Sequence, residues 1–260
     1  MLSDDEKAKY EELRAIVASL RAPDGCPWDR EQTHQSLRPH LIQEAYEVLA
    51  VLDAGDPSRL PEELGDLLFQ VLLHTQLAEE AGEFTMSDVL AGLAAKLVRR
   101  HPHVFGERRL ETADQVLAQW DELKRSERAP EESALAGLPP ALPALDYARE
   151  LLRRAEATGF AWPESRDVLA KLTEELAELA AAASKEEAAA ELGDLLLNLA
   201  NYARYLGIDA EEALRLAGHK FRLRFAAVEA RARERGLDLR ALSPAELLAL
   251  WDEAKSATGG

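Results

Sequence analysis

Eight carboxylates, set out in the same pattern twice, are the residues of this chain best placed to do chemistry. Glu44-Ala-Tyr-Glu47 precedes Glu63-Leu-Gly-Asp66, and Glu175-Leu-Ala-Glu178 precedes Glu191-Leu-Gly-Asp194. Residues three apart share one helix face, with Cβ atoms about 5–6 Å from each other. Two such helices packed antiparallel direct four carboxylates at one spot. Anionic groups that close repel unless a cation sits between them. A hard divalent ion with oxygen ligands is the natural occupant. A lone Glu-x-x-Glu is most often a solvated helix face. The recurrence of both pairs favours the ligand reading.

Each acidic set is followed by a lysine and an arginine four apart, Lys96 and Arg100 in the first copy, Lys220 and Arg224 in the second. Spacing of four puts both cations on one helix face. Acids would hold magnesium, and the cations would hold phosphate oxygens. Magnesium favours a few carboxylates, several waters and substrate phosphates. The combination fits attack of water on a phosphoanhydride, with a spare carboxylate as general base.

The elements that must position these groups are helices. Leu41, Ala45, Val48 and Leu52 make an apolar stripe at helical spacing, and Leu172, Leu176, Leu179 and Ala183 repeat it. The partner helices carry Leu64, Leu67, Leu68 and Val71, then Leu192, Leu195, Leu196 and Leu199. Every acidic pair falls on the border of its stripe. No stretch alternates convincingly as a strand. Helices are expected over 4–20, 87–100, 144–158 and 209–235. Thr85-Met-Ser-Asp88, Thr112-Ala-Asp-Gln115 and Ser243-Pro-Ala-Glu246 read as capping boxes. Pro130, Pro139, Pro140 and Pro143 mark a linker. The spacing predicts domains over 1–125 and 144–260, joined by residues 126–143. An offset of 131 residues at Glu44/Glu175 and 124 at Lys96/Lys220 relates the halves. The expected fold is therefore all-α, as two tandem helical bundles.

Composition bounds the partners. The 260 residues carry a net charge of −17 and are 47 % apolar, enough for a sizeable core. A surface this negative repels phosphate backbones, which excludes polymeric nucleic acid as an expected partner. No apolar run approaches the length of about 20 residues needed to span a bilayer, so no membrane association is expected. Cys26 stands alone and suits a reducing cytoplasm.

The chain resembles the MazG-type nucleoside triphosphate pyrophosphohydrolases in their tandem two-domain form. The resemblance covers almost the whole chain. It rests on Gly25-Cys26-Pro27-Trp28-Asp29, Glu44-Ala-Tyr-Glu47, Glu63-Leu-Gly-Asp66-Leu-Leu-Phe-Gln70, Arg99-Arg100-His101-Pro102-His103-Val104-Phe105, Glu191-Leu-Gly-Asp194 and Lys220-Phe221. It implies an all-α fold, dependence on Mg²⁺ with Mn²⁺ as the alternative ion, a homodimer, and cleavage of nucleoside triphosphates to monophosphates and pyrophosphate in the housecleaning of nucleotide pools. It also implies that the C-terminal domain is the catalytic one. Carried over position by position, the metal ligands are Glu175, Glu178, Glu191 and Asp194. Lys124, Lys220, Arg224 and Trp251 contact substrate, and Glu175, Lys124, Lys220 and Arg224 form the catalytic set. Glu44, Glu47, Glu63 and Asp66, with Lys96 and Arg100, make a second, weaker candidate. Gly218 departs from the asparagine frequent in the family, which bears on base preference.

Two rival readings compete with this one. A carboxylate-bridged di-iron bundle needs two Glu-x-x-His motifs, and only Glu31-Gln-Thr-His34 is present. A non-catalytic nucleotide sensor or interaction protein fits the first half, whose acids would then be structural. His101 and His103 read as structural or dimer-packing residues. Trp28 and Trp162 read as loop anchors able to stack on a base.

Overall fold

The computed structural model describes residues 3–107, 109–113, 115–116, 119–120, 123, 133–160 and 164–257. The protein is all-α, and among the described residues there is no strand. The chain divides into two compact units, Met1–Leu123 and Lys124–Gly260. The second unit therefore includes the whole of the proline-rich stretch, 126–143, expected to link two domains.

The first unit contains α1 (Asp4–Arg21), α2 (Pro27–Glu31), α3 (Arg38–Ala54), α4 (Leu60–Ala81), α5 (Met86–Arg100) and α6 (Pro102–Phe105). Local chemistry sets their ends. Ser3 and Glu6 close a capping box on α1, and Thr85 and Asp88 close another on α5. Pro39 and Pro61 sit in the first turns of α3 and α4, where a missing N–H costs little. Both helices stop at glycines in the left-handed region, Gly55 at φ 65° and Gly82 at φ 69°. The turn after α1 also requires glycine, because a Cβ at Gly25 would lie 2.4 Å from the Leu20 and Ser19 carbonyl oxygens.

Helix α4 packs antiparallel on α3 and also carries α1 and α5. Val17, Leu37, Leu72, Leu73 and Met86 form the buried core, flanked by Tyr10, Leu13, Phe69, Leu77 and Val89. Arg14 donates twice to Glu79, at 2.7 and 2.8 Å, and the same carboxylate accepts the Met86 N–H at 2.9 Å. Arg21 binds Glu80 beside it at 2.8 Å. The segment before α3 is pinned to α4 by His34 and His74. Their Nδ1 atoms are 2.7 Å apart, with ring centroids 5.1 Å apart and ring planes 1° from parallel. Those values place the nitrogens head-on rather than the ring faces in contact. One Nδ1 donates and the other accepts.

The second unit contains α7 (Ala144–Glu156), α8 (Ser165–Ala181), α9 (Lys185–Tyr205), α10 (Ala210–Glu234), a 3₁₀ turn (Leu239–Ala241) and α11 (Pro244–Ala257). Helices α8 and α9 form its largest contact, α7 packs on α9 and α10, and α11 packs on α10. Val228, Leu250 and Ala254 are a buried cluster, with Trp251, Leu239 and Leu242 against it. Arg154 Nη1 donates to the Ala136 carbonyl at 2.6 Å, so the expected linker is fastened to α7 from within. Hydrogen bonds from Arg153 and Arg154 hold the Glu150 carboxyl at about 2.

The expected apolar stripes are helical but incompletely covered. Leu52, Leu64, Leu68, Val71, Leu176, Leu192, Leu196 and Leu199 are exposed in the chain by itself. Among the described residues, these side chains of the acidic helix pairs stay uncovered within the chain. The buried side of α4 runs instead through Glu63, Gln70, Leu72, Leu73 and Thr75.

Candidate metal and phosphate site

In the second unit, α8 and α9 bring Glu175, Glu178 and Glu191 together, one carboxylate oxygen of each lying within 4.8 Å of the others. Among the described residues this is the cluster of three or more candidate ligands that meets that distance. Glu175 is 4 % exposed, Glu191 half-buried and Glu178 exposed, so the acids form a ramp from core to solvent. Burial pushes the Glu191 carboxyl above its usual range, and Glu178, Glu175 and Asp194 push it further, while Lys171 partly offsets them. Like charges this close disfavour one another's ionised forms. The donor set is three oxygens with an open side, which fits a hard divalent ion that keeps water and substrate oxygens as its remaining ligands. Asp194, expected as the fourth ligand, is exposed and stands outside the triad, although its charge reaches Glu191.

Two residues of this site escaped the sequence reading. Lys171 Nζ lies 3.0 Å from both Glu174 and Glu175. These pairs push its ammonium well above the usual lysine range. Asn198 Nδ2 donates to the Asp194 carbonyl at 3.0 Å and approaches Glu175 Oε1 at 3.5 Å. The available signal was spacing, since Lys171 precedes Glu175 by one helical turn and Asn198 follows Asp194 by one.

The cations fall differently. Lys220 is exposed on α10, and Arg224 is half-buried with its Nε atom enclosed and unpartnered. The Phe221 ring lies 5.1 Å from the Trp251 ring and 6.1 Å from Phe225, so Trp251 joins an aromatic patch on the Lys220 helix. Among the described residues the charges acting on Glu191 are those of Glu178, Glu175, Asp194 and Lys171, and neither Lys220 nor Arg224 is one of them. Lys124 and Trp162 lie outside the described residues.

In the first unit the matching acids do not converge in the same way. Burial raises the Glu44 carboxyl, followed by the charges of Glu47, Asp66 and Glu63, with His40 offsetting them. The four acids are thus electrical neighbours. Glu63, however, is 4 % exposed and its carboxylate is bound by Arg59 at 2.7 Å. Glu47 accepts from Gln43 at 2.9 Å. A cleft of about 400 Å³ opens here, lined by Glu47, Asp56, Arg59 and Glu63 with Ala50, Val51 and Ala54. Trp28 meets His40 edge-on at 5.5 Å, and His40 is the cation whose charge acts on Glu44. Lys96 is exposed on α5 and does not act on Glu44. Arg100 is half-buried at the end of the same helix.

The two histidines of the first unit's His-Pro-His motif are engaged structurally. His101 Nδ1–H donates to the Leu97 carbonyl at 2.6 Å, and its ring meets Trp120 edge-on at 5.2 Å. His103 Nδ1 faces the Gln119 amide at 3.4 Å.

Residues 32–105 and 164–228 match the MazG nucleotide pyrophosphohydrolase domain. These two segments hold both acidic sets. The chain is 42 % identical over 247 residues to the Thermotoga maritima nucleoside triphosphate pyrophosphohydrolase/pyrophosphatase MazG, covering 95 % of each protein. It is 40 % identical to the nucleoside triphosphate pyrophosphohydrolase of Escherichia coli K12, covering 95 % of this chain and 97 % of that one. The uncharacterized protein YabN of Bacillus subtilis is 43 % identical, and there the match spans 96 % of this chain and 53 % of YabN. With a matched domain in each half and such identity along almost its full length, the chain belongs to the MazG nucleotide pyrophosphohydrolase family.

Proposed function

We propose that the chain hydrolyses nucleoside triphosphates between the α- and β-phosphates, releasing monophosphate and pyrophosphate, at the α8–α9 acids of the second unit. The observation that carries this reading is the convergence of Glu175, Glu178 and Glu191. The names of the Thermotoga and Escherichia relatives support the reaction class. A bound Mg²⁺, or Mn²⁺ in its place, supplies Lewis-acid polarisation of the phosphoanhydride and charge neutralisation.

The chain's own residues do the rest. Glu175, Glu178 and Glu191 would hold the ion, with Asp194 at the solvent side. Lys171, one turn before Glu175, would lie close enough to turn its ammonium toward an anionic substrate. Its flexible four-carbon stem permits that movement. A carboxylate of the set left off the ion, such as Asp194, would accept the proton of the attacking water. Lys220, Arg224 and Lys124 contact phosphate oxygens, and the unpartnered Arg224 Nε is a donor in want of an acceptor. The Phe221–Trp251 patch offers an apolar face to the nucleoside.

A homodimer fits the same reading. The exposed leucines of α3, α4, α8 and α9 form stripes that a second copy would cover. Light scattering should give about twice the chain mass of 28.7 kDa. Among the described residues no helix is long and apolar enough to cross a membrane. The single Cys26 suits work on nucleotide pools in a reducing cytoplasm.

Chromatography of products decides the reaction. Incubation of triphosphates with the protein and Mg²⁺ should yield monophosphate and pyrophosphate, and chelation should stop it. Diphosphate and orthophosphate as the products would overturn the proposal.

A further inference from the structure

We infer that Arg59 turns the acid cleft of the first unit away from divalent metal, by supplying within the chain the positive charge that an ion would otherwise supply. This rests on the metal reading of the second unit given above. It names the residue that makes the two units differ.

The second acidic helices of the two units share one register. Glu63-Leu-Gly-Asp66 and Glu191-Leu-Gly-Asp194 align, so Arg59 corresponds to Glu187. One position, one helical turn before the third acid, has opposite charge in the two units. In the second unit the Glu187 side chain turns back to accept the Ala183 N–H at 2.8 Å and stays off the acids. In the first unit the Arg59 side chain runs forward and binds Glu63 at 2.7 Å. Its charge also acts on Asp56 across the cleft, and all three groups line the same space.

Arg59 is a poor residue for its local position. It is the N-cap of α4 and makes no side-chain capping bond. Serine, threonine, aspartate and asparagine are preferred there, and a cation opposes the helix dipole at that end. Local helix chemistry therefore does not explain the arginine. The buried Glu63 carboxylate does, because a charge that deep requires a partner. Guanidinium suits the task. It stays ionised at every working pH and presents a planar fork to a carboxylate.

Lys171 is the contrasting case. It too pairs with a buried glutamate one turn away, yet Glu175 remains within 4.8 Å of Glu178 and Glu191. Glu63 is bound by Arg59, and the acids of its unit do not form such a triad. The residues of the first unit thus do not fit a divalent ion in the way those of the second unit do.

The test counts Mn²⁺ bound to the full-length protein by electron paramagnetic resonance of the free ion, without any turnover. Arg59→Ser is the main variant. The arginine side chain is 63 % exposed and serine restores a capping hydroxyl, so the helical circular dichroism should persist, while the unpartnered Glu63 lowers the melting temperature until an ion binds. The parent protein should lose bound Mn²⁺ on Glu175→Gln and lose none on Glu63→Gln. Arg59→Ser should bind at least one more ion per chain than the parent, and adding Glu63→Gln should abolish the gain. Unchanged binding in Arg59→Ser would overturn the inference, as would loss of Mn²⁺ from the parent on Glu63→Gln. A parent that loses no Mn²⁺ on Glu175→Gln would sink the metal reading of the second unit instead. The Arg59→Ser comparison would still decide the role of Arg59.

Discussion

Replacing Glu175 with glutamine separates what this residue does for folding from what it does for the reaction. The substitution keeps the side chain's shape in a site that is 4 % exposed, and removes one charge. Lys171 is not orphaned, because Glu174 still binds it at 3.0 Å. The amide oxygen still accepts from Asn198 or Lys171. The stability cost is therefore near that of one weakened hydrogen bond, about 1 kcal/mol. It is not the roughly 3–5 kcal/mol of a buried ion stripped of its partner. The cost to the reaction is larger. Two unit charges about 4 Å apart interact by about 4 kcal/mol at an effective dielectric constant near 20. A doubly charged partner doubles that gross figure, and desolvation returns most of it. A net loss of about 3 kcal/mol remains, equivalent to a rate lower by about 10²-fold. The assay is steady-state pyrophosphate release, with a thermal melt on the same sample. A folded Glu175→Gln protein within about fivefold of the parent rate would refute the reasoning, since an ion ligand cannot be lost that cheaply.

Three further outcomes follow from the same geometry. Glu44→Ala or Asp66→Ala should leave substantial turnover in the pyrophosphate assay, with any loss appearing in the melt or in the dimer mass; a folded but inactive variant would move the chemistry to the first unit. Mn²⁺ affinity of the second unit should weaken as pH falls toward the raised Glu191 value, beginning above the ordinary glutamate value of 4.5. In the absence of ion the sign for folding is opposite. The folded chain binds this proton more readily than the unfolded one, so the Glu191 contribution is present at low pH and fades as pH rises through the raised value. A Mn²⁺ titration series that stays flat down to 4.5 would contradict this. Gly218→Asn should fold normally, because a Cβ at that position meets nothing within 4 Å. It should change the ratio of kcat/KM values between bases, and an unchanged ratio would remove position 218 from base recognition.

Much of this was legible in the chain. Caps and breakers set the helix ends within a residue or two, as at Thr85, Gly82 and Ser243, because those signals act over one turn. The acidic pairs were legible because their spacing is a property of the helix itself. Which acid is buried was not. Glu63 on the second helix of one unit and Glu175 on the first helix of the other are the enclosed ones. That choice depends on how two helices settle against each other. The counter-ions Arg59 and Lys171 went unread for the same reason, since a cation one turn from an acid is ordinary on any helix. Their role appears only once the acid is known to be buried. The apolar stripes were read at the correct period, but periodicity does not reveal whether the covering surface lies in the same chain.

Glu79 has a consequence for how the first unit comes apart. One carboxylate takes two bonds from Arg14 on α1 and caps the first turn of α5 through the Met86 amide, while its own backbone belongs to α4. Three helices are thereby latched at a single point, next to the αL glycine that ends α4. Fraying of α5 from its N-terminus cannot proceed without loosening α1, so the two should exchange their amide hydrogens as one cooperative block rather than as independent ends. With glutamine at position 79 the charge-assisted clasp on α1 weakens. Slow exchange in α1 and α5 should then separate into two rates, although no residue of either helix has been changed.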